Sequence, residues 1–182
     1  MKFLPIHIEL KNGKTVEIRE ATTRDVEALI VAAKSYLRTS DYLLSYDEEF
    51  NPSKKEEIAW IKSHDNANSL LLVATYSKEI IATFNITAFS QRKLNHVATL
   101  GISTLEEWRG VGLGSILMEC MTRWAKTQSG LEMITLEVFS ENKHAICLYE
   151  KYGFVKDREK KDYFRDKKGN YYNNTLMTLY LK

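Results

Sequence analysis

The sequence predicts an α/β fold, one mixed β-sheet flanked by helices, on three observations. An extended run, His96 to Thr104, passes through a glycine-rich turn into a helical run, Gly114 to Gln128. A second strand-like run, Met133 to Phe139, passes into an amphipathic helical run, Asn142 to Tyr152. Hairpin signals near both ends, Asn12-Gly13 and Lys168-Gly169-Asn170, add antiparallel neighbours to that strand–helix alternation. With 182 residues, 44% of them apolar, the chain can bury one sizeable core. No linker, repeat or low-complexity stretch divides it, so residues 1–182 read as a single domain.

Met1 to Leu10 alternates and is interrupted by Pro5, which suggests a strand. Ile6-x-Ile8-x-Leu10 and Val16-x-Ile18 alternate around Asn12-Gly13 and read as a hairpin. Thr22 or Thr23 caps a helix reaching about Arg38, with Val26, Leu29, Ile30, Ala33 and Leu37 inward. Thr39 to Asn51 is a polar, aromatic-rich connection. Ser53 caps a second helix carrying Ile58, Trp60 and Ile61. Leu70 to Tyr76 and Ile80 to Phe89 are strands about a tight turn at Ser77-Lys78. The helix after the glycine turn turns Ile116, Leu117, Cys120, Met121, Trp124 and Ala125 to one side. Two last strands, near Phe154 to Phe164 and Tyr171 to Leu181, close the chain.

Composition removes several function classes. A formal charge of +2 is too small to argue for nucleic acid. No apolar run reaches membrane-spanning length, and the N-terminus lacks a signal-peptide pattern, so a cytoplasmic protein is expected. The basic run Arg158 to Lys168 is interleaved with acids and reads as a solvated hairpin face. Cys120 and Cys147 are expected to be core thiols, and no metal site is expected.

The richest segment is Trp108-Arg109-Gly110-Val111-Gly112-Leu113-Gly114. Glycines let the backbone approach a bound group, and the helix that follows adds the positive end of its dipole. The combination is an anion cradle suited to a diphosphate. A nucleotide phosphate loop would need Lys-Ser/Thr after Gly114, and a dinucleotide fingerprint would need Gly-x-Gly-x-x-Gly early in the chain. Neither is present. Arg109-x-x-Gly112-x-Gly114 instead resembles the acetyl-coenzyme-A loop of the GNAT family of N-acetyltransferases. Downstream, the strand Ile134 to Val138, then Asn142, then a helix ending Leu148-Tyr149-x-x-x-Gly153-Phe154 resembles that family's usual sequel. The likeness runs roughly from Val16 to the C-terminus. Where relatives commonly have Pro-Glu-Tyr-Arg-Gly, this chain has Glu106-Glu107-Trp108-Arg109-Gly110; Trp108 is expected to pack.

The resemblance implies a GNAT-like fold and acetyl-CoA as co-substrate. It implies that the pantetheine arm pairs with the backbone of Ile102 and Thr104. The N–H groups of Gly110, Val111, Gly112, Leu113, Gly114 and Ser115 would meet the diphosphate, with Arg109 supporting the loop or the diphosphate. A surface salt bridge from Arg109 to Glu106 or Glu107 is the alternative. Asn142 would contact the pantetheine arm, and Tyr149, seven residues on, would protonate the departing thiolate. Periodicity alone would make Tyr149 a packing aromatic. Either Glu137 or His96 could remove the amine proton, or each could be an ordinary strand residue. A His144–Cys147 dyad is disfavoured.

Carboxylates and aromatics between Arg38 and Phe50 (Asp41, Tyr42, Tyr46, Asp47, Glu48, Glu49) could receive a cationic amine or simply be solvated. The final hairpin could add a wall. The reading is an acetyl-CoA-dependent N-acetyltransferase acting by direct attack on a small-molecule or amino-acid amine. A protein N-terminal or lysine acetyltransferase and a non-catalytic acyl-CoA sensor are the rivals. Such domains often pair as homodimers, but no sequence feature marks an interface.

Overall fold

A computed structural model describes residues 3–181. The strands are β1 (Ile6–Glu9), β2 (Thr15–Glu20), β3 (Leu70–Tyr76), β4 (Glu79–Ala88), β5 (Val97–Thr104), β6 (Met133–Phe139), β7 (Val155–Arg165) and β8 (Tyr171–Tyr180). The helices are α1 (Val26–Thr39), α2 (Lys54–Ser63), α3 (Leu113–Ala125) and α4 (Lys143–Lys151). The eight strands form one sheet in the order β1-β2-β3-β4-β5-β6-β8-β7. Only β5 and β6 run parallel, joined by the α3 crossover.

Turn chemistry sets the hairpins. Ser77 and Lys78 both take positive φ, 50° and 71°, the mirror-image turn that matches strand twist. Thr22 and Asp25 form a reciprocal capping box before α1, and Ser53 and Glu56 form another before α2. Asp25 also takes the Arg19 guanidinium through two bonds of 2.8 Å, tying β2 to the start of α1.

Side chains alternate across the sheet, so β3 feeds two cores. Leu70, Leu72 and Ala74 join Phe84, Leu100, Leu117, Met118, Met121 and Tyr149 on the α3/α4 face. Leu71 and Val73 join Val26, Leu29, Tyr36 and Ile61 on the α1/α2 face. Burying each large apolar side chain contributes about 1.5–3 kcal/mol. Two details depart from the sequence reading. A 3-10 turn, Thr23–Asp25, precedes α1, and the inward face there is Val26, Leu29, Ala32 and Tyr36 rather than a stripe through Ala33 and Leu37. Cys120 is buried, but Cys147 is exposed, one position past the buried Ile146 on α4. Trp108 packs as expected, 5% exposed with its ring 5.0 Å from Tyr76.

Candidate active site

Pairing between β5 and β6 stops early. The register runs Val97↔Met133, Ala98↔Ile134 and Thr99↔Thr135, and then the strands separate. Strand parity says which backbone groups face the opening. Leu105 N–H bonds to Ile81 and Phe89 N–H to Val97, so odd-numbered residues of β5 bond toward β4. Ile102 and Thr104 therefore turn their N–H and C=O groups to the gap. On β6, Met133 N–H bonds to His96 and Ser140 N–H to Asn173, which puts the backbone of Glu137 on the gap as well. The result is a wedge with two unzipped strand edges, shaped to take an extended, amide-bearing chain as a false strand.

The glycine turn lies at the mouth of this wedge. Gly110 and Gly112 hold φ of 76° and 92°, where a side chain is strained. Gly112 is the N-cap of α3 and offers no side-chain cap. The first intrahelical bond is Ile116 N–H to Gly112 C=O at 3.2 Å, so Leu113, Gly114 and Ser115 keep unpaired helical donors. Thirteen residues of α3 align their dipoles behind them. A Cβ on Gly114 would come within 3.2 Å of Leu148 on α4, so the missing side chain also lets α4 close in. Tyr152 fixes that contact, its hydroxyl donating to Ser115 C=O at 2.7 Å.

Arg109 braces the turn. Its guanidinium donates to Thr39 C=O at 3.1 Å, to Thr39 Oγ1 at 3.3 Å and to Thr104 C=O at 3.4 Å. The loop-supporting role is the one its geometry serves. Lys11 escaped the sequence reading. Its N–H bonds to Val111 C=O at 3.2 Å, and its side-chain carbons run 3.6–3.7 Å from where a Gly112 Cβ would stand. Only hairpin packing brings it there; no local motif announces it.

Asn142 caps α4, its Oδ1 accepting from Ala145 N–H at 3.2 Å. Tyr149 lies on the α3/α4 face, 8% exposed and 5.9 Å from the Phe154 ring. Burial pushes its phenol up to about 12, so it stays protonated throughout the neutral range. Glu137 projects from β6 to the opposite, α1/α2 face. It accepts from Asn174 Nδ2 at 2.7 Å and has Lys160 Nζ at 3.9 Å. Asn174 is a second residue the sequence reading missed; its Oδ1 is buried without a hydrogen-bond partner.

His96 is not brought to this cluster. It precedes the paired, closed end of β5, eight residues before Thr104, which is about 26 Å of strand at 3.3 Å per residue. His144 and Cys147 are both exposed on α4.

Aromatic rings wall the α1/α2 side of the opening. Phe139 stacks on Phe164 at 4.0 Å, with Tyr42 at 5.7 Å and Tyr172 at 5.9 Å. The connection between α1 and α2 straps across the β7–β8 hairpin. Lys167 N–H donates to Tyr46 Oη at 3.0 Å, and the Lys167 ammonium pairs with Glu48 over the Tyr46 ring. Asp47 pairs with Arg38 at 2.8 Å. Asp47 and Glu48 are thus engaged in ion pairs.

The architecture recurs in known proteins. The chain superposes on the acetyltransferase of the GNAT family from Streptococcus pneumoniae with a TM-score of 0.87 at 25% identity, over 91% of this chain and 99% of that one. It superposes on YncA, a putative acetyltransferase from Salmonella typhimurium solved with its cofactor acetyl-CoA, with a TM-score of 0.80 at 17% identity, over 92% and 94%. It is 27% identical to the L-amino acid N-acetyltransferase AaaT of Escherichia coli over 139 residues, 76% of this chain and 82% of that one. Among the described residues no helix is long and apolar enough to cross a membrane. The model of the Acetyltransferase (GNAT) family matches residues 36–154, which contain the β5–β6 wedge, the glycine turn and α4, and the chain belongs to that family.

Proposed function

We propose that this protein transfers the acetyl group of acetyl-CoA to a primary amine of a small molecule or amino acid, both substrates being bound together. The observation that carries the reading is the wedge itself, with the backbone of Ile102 and Thr104 turned into it and a glycine-capped helix N-terminus at its mouth. A pantetheine arm fits the first feature and a diphosphate the second. Gly110 to Ser115 offer the N–H groups, Arg109 steadies them, and Lys11 adds a cation from the β1–β2 turn. Asn142 orders the start of α4 and borders the arm.

The two faces of the sheet divide the chemistry. The amine nitrogen attacks the thioester carbonyl carbon from the α1/α2 side, and Glu137 takes its proton through water. The Ile102 N–H, already aimed at the gap, stabilises the oxyanion. The carbon–sulfur bond then breaks, and the Tyr149 hydroxyl, on the α4 side, gives its proton to the thiolate. Water restores both groups, leaving an N-acetyl amine and free coenzyme A. The high phenol pKa keeps that proton in place until thiolate charge develops beside it.

The strap between Tyr46, Glu48 and Lys167 narrows the acceptor side and favours a small amine over a folded protein. The relatives agree in part: AaaT is named for amino acids and YwnH of Bacillus subtilis for phosphinothricin. A peptide-acceptor reading has its own support, since an N-alpha-acetyltransferase of Saccharolobus solfataricus is 39% identical over 67 residues, although that is 37% of this chain and 40% of that one. The free thiols of Cys120 and Cys147 suit a reducing compartment such as the cytoplasm. Thiol release from acetyl-CoA across a panel of amino acids, small amines and peptides tests the proposal. Release with small amines supports it, release with peptides alone favours the peptide reading, and binding without release on any amine overturns both in favour of a sensor.

A further inference from the structure

A chain of hydrogen bonds on the α1/α2 face ends in an acceptor that none of the described residues uses. It starts at Trp60 C=O, which can only accept, so His64 Nδ1, 2.9 Å away, carries a hydrogen. His64 is 6% exposed, and burial lowers its pKa despite the opposing bond to Trp60, so the ring is neutral and its Nε2 is bare. Nε2 therefore accepts from the Thr87 hydroxyl at 2.9 Å. The Thr87 oxygen in turn accepts from Asn85 Nδ2 at 3.0 Å. The direction of every bond follows from the first, and the amide of Asn85 has only one way round. Its Oδ1 receives no hydrogen bond among the described residues.

That oxygen is aimed. Asn85 on β4 pairs with Gly101 on β5, and a Cβ at Gly101 would come within 2.4 Å of Oδ1. Gly101 has an ordinary backbone conformation, so its glycine is required by the Asn85 side chain lying across it and not by φ. Reaching over Gly101 carries Oδ1 from β4 toward the β5–β6 opening. Gly101 is two residues beyond the last paired position, Thr99, at the vertex of the wedge. Continuing the register, Glu137 lies at the same level on β6. An arm entering from the glycine turn and running along Thr104 and Ile102 delivers its far end to this level.

We propose that Asn85 is an acceptor-binding residue: its Oδ1 takes an N–H of the incoming amine on the α1/α2 side of the thioester, with Thr87 and His64 as positioning residues that fix the amide. The inference rests on the acetyltransferase reading and extends it to the amine subsite. An amine held by one N–H on Asn85 keeps its lone pair free to point at the carbonyl carbon while Glu137 faces another of its protons. The site accordingly requires an acceptor with two or more N–H bonds before attack, and secondary amines react poorly.

Steady-state kinetics on the full chain, with acetyl-CoA and the best amine of the panel, test this. Asn85→Ala is expected to lower kcat/KM for the amine about tenfold, the loss of one hydrogen bond to a charged or developing-charge group, with KM for acetyl-CoA unchanged. Asn85→Asp, which keeps an oxygen in place, recovers most of that loss. Gly101→Ala pushes Asn85 aside and reproduces the Asn85→Ala defect, and Thr87→Val, which leaves Asn85 present but unsteered, gives a smaller loss in the same constant. An unchanged amine kcat/KM in Asn85→Ala overturns the inference, as does an equal rise in both Michaelis constants. Should Asn85→Ala not fold, Thr87→Val carries the same test, and full amine efficiency there overturns it. A wild-type chain inert toward every amine sinks the acetyltransferase reading itself, whereas an active one indifferent to Asn85 sinks only this extension.

Discussion

Asn174 donates its side-chain amide to Glu137 Oε2 at 2.7 Å from a position that is 1% exposed. The residues come from neighbouring antiparallel strands, β8 and β6, and share a face because Asn174 pairs with Phe139, two residues past Glu137. The bond fixes one carboxylate oxygen and leaves the other near Lys160. If Glu137 removes the amine proton, Glu137→Gln should lower kcat by about 10²–10³ without weakening coenzyme binding. Asn174→Ala should lower kcat by about tenfold, because the carboxylate remains but is no longer held. Single-turnover acetylation with saturating coenzyme measures both. A wild-type rate in Glu137→Gln would leave water as the base.

Tyr149→Phe removes one oxygen from a buried ring and little else. Among the described residues the hydroxyl has no hydrogen-bond partner, burial alone raising its pKa, so stability should hold, and turnover should fall by about 10²–10³ through the lost proton donor. Because burial places the phenol near 12, wild-type activity should show no falling alkaline limb from this group below about pH 10. A pH–rate profile with amine in excess reads both effects. Full activity of Tyr149→Phe across that profile would return Tyr149 to a packing role.

Much of the fold was legible because its signals are local. Asn12-Gly13, the Ser53 cap and the Ser77-Lys78 turn each act within a few residues. The glycine turn was legible for the same reason, since the motif and the strand leading to it are contiguous, whereas Ile102 and Thr104 came from the family resemblance and not from their own residue types. What escaped is non-local. Lys11 meets the glycine turn, Asn174 meets Glu137, and His64 meets Thr87 and through it Asn85 only because of sheet order and packing between elements distant in sequence. His96 looked useful because it adjoins the right strand, but strand direction puts it at the wrong end. Cys147 looked buried because its helix is amphipathic; α4 is nine residues long and buries only Ile146 and Tyr149 fully, leaving Cys147 on the rim.

Coenzyme affinity offers a test at the glycine turn. Gly112→Ala forces a side chain into a φ of 92°, at a cost of about 1–2 kcal/mol unless the turn shifts. The methyl itself would meet only Lys11 carbons at 3.6 Å, so backbone strain and not collision dominates. Acetyl-CoA should bind roughly 5–30-fold more weakly by calorimetry if the turn reorients. Lys11→Ala removes a cation while keeping the backbone bond from Lys11 N–H to Val111 C=O, and should weaken binding by about three- to fivefold, the part due to charge fading at high salt. Tight binding in a folded Gly112→Asp variant, which adds both bulk and like charge, would move the diphosphate elsewhere.

Arg19 and Asp25 supply a prediction independent of function. Burial alone would raise the Asp25 pKa, but the Arg19 fork and the Thr22 N–H and hydroxyl together outweigh it and hold the carboxyl below its ordinary 3.8. In the unfolded chain these partners are gone and the group titrates normally. Its stabilising contribution is therefore complete above about pH 4 and disappears as the pH falls through the lower folded value, where the unfolded chain binds the proton first. Asp25→Asn also leaves one side-chain acceptor oxygen where there were two, so it cannot take both guanidinium bonds and complete the capping box with Thr22 at once. The pair is only part-buried, so solvent screening limits the loss to about 1–3 kcal/mol at neutral pH. At about 2–4 °C per kcal/mol that lowers the melting temperature by several degrees. The difference between wild type and variant should shrink when melting is followed at pH 3 and below; a gap that stays constant from pH 7 to pH 2 would mean that packing, not the charge, is what Asp25 contributes.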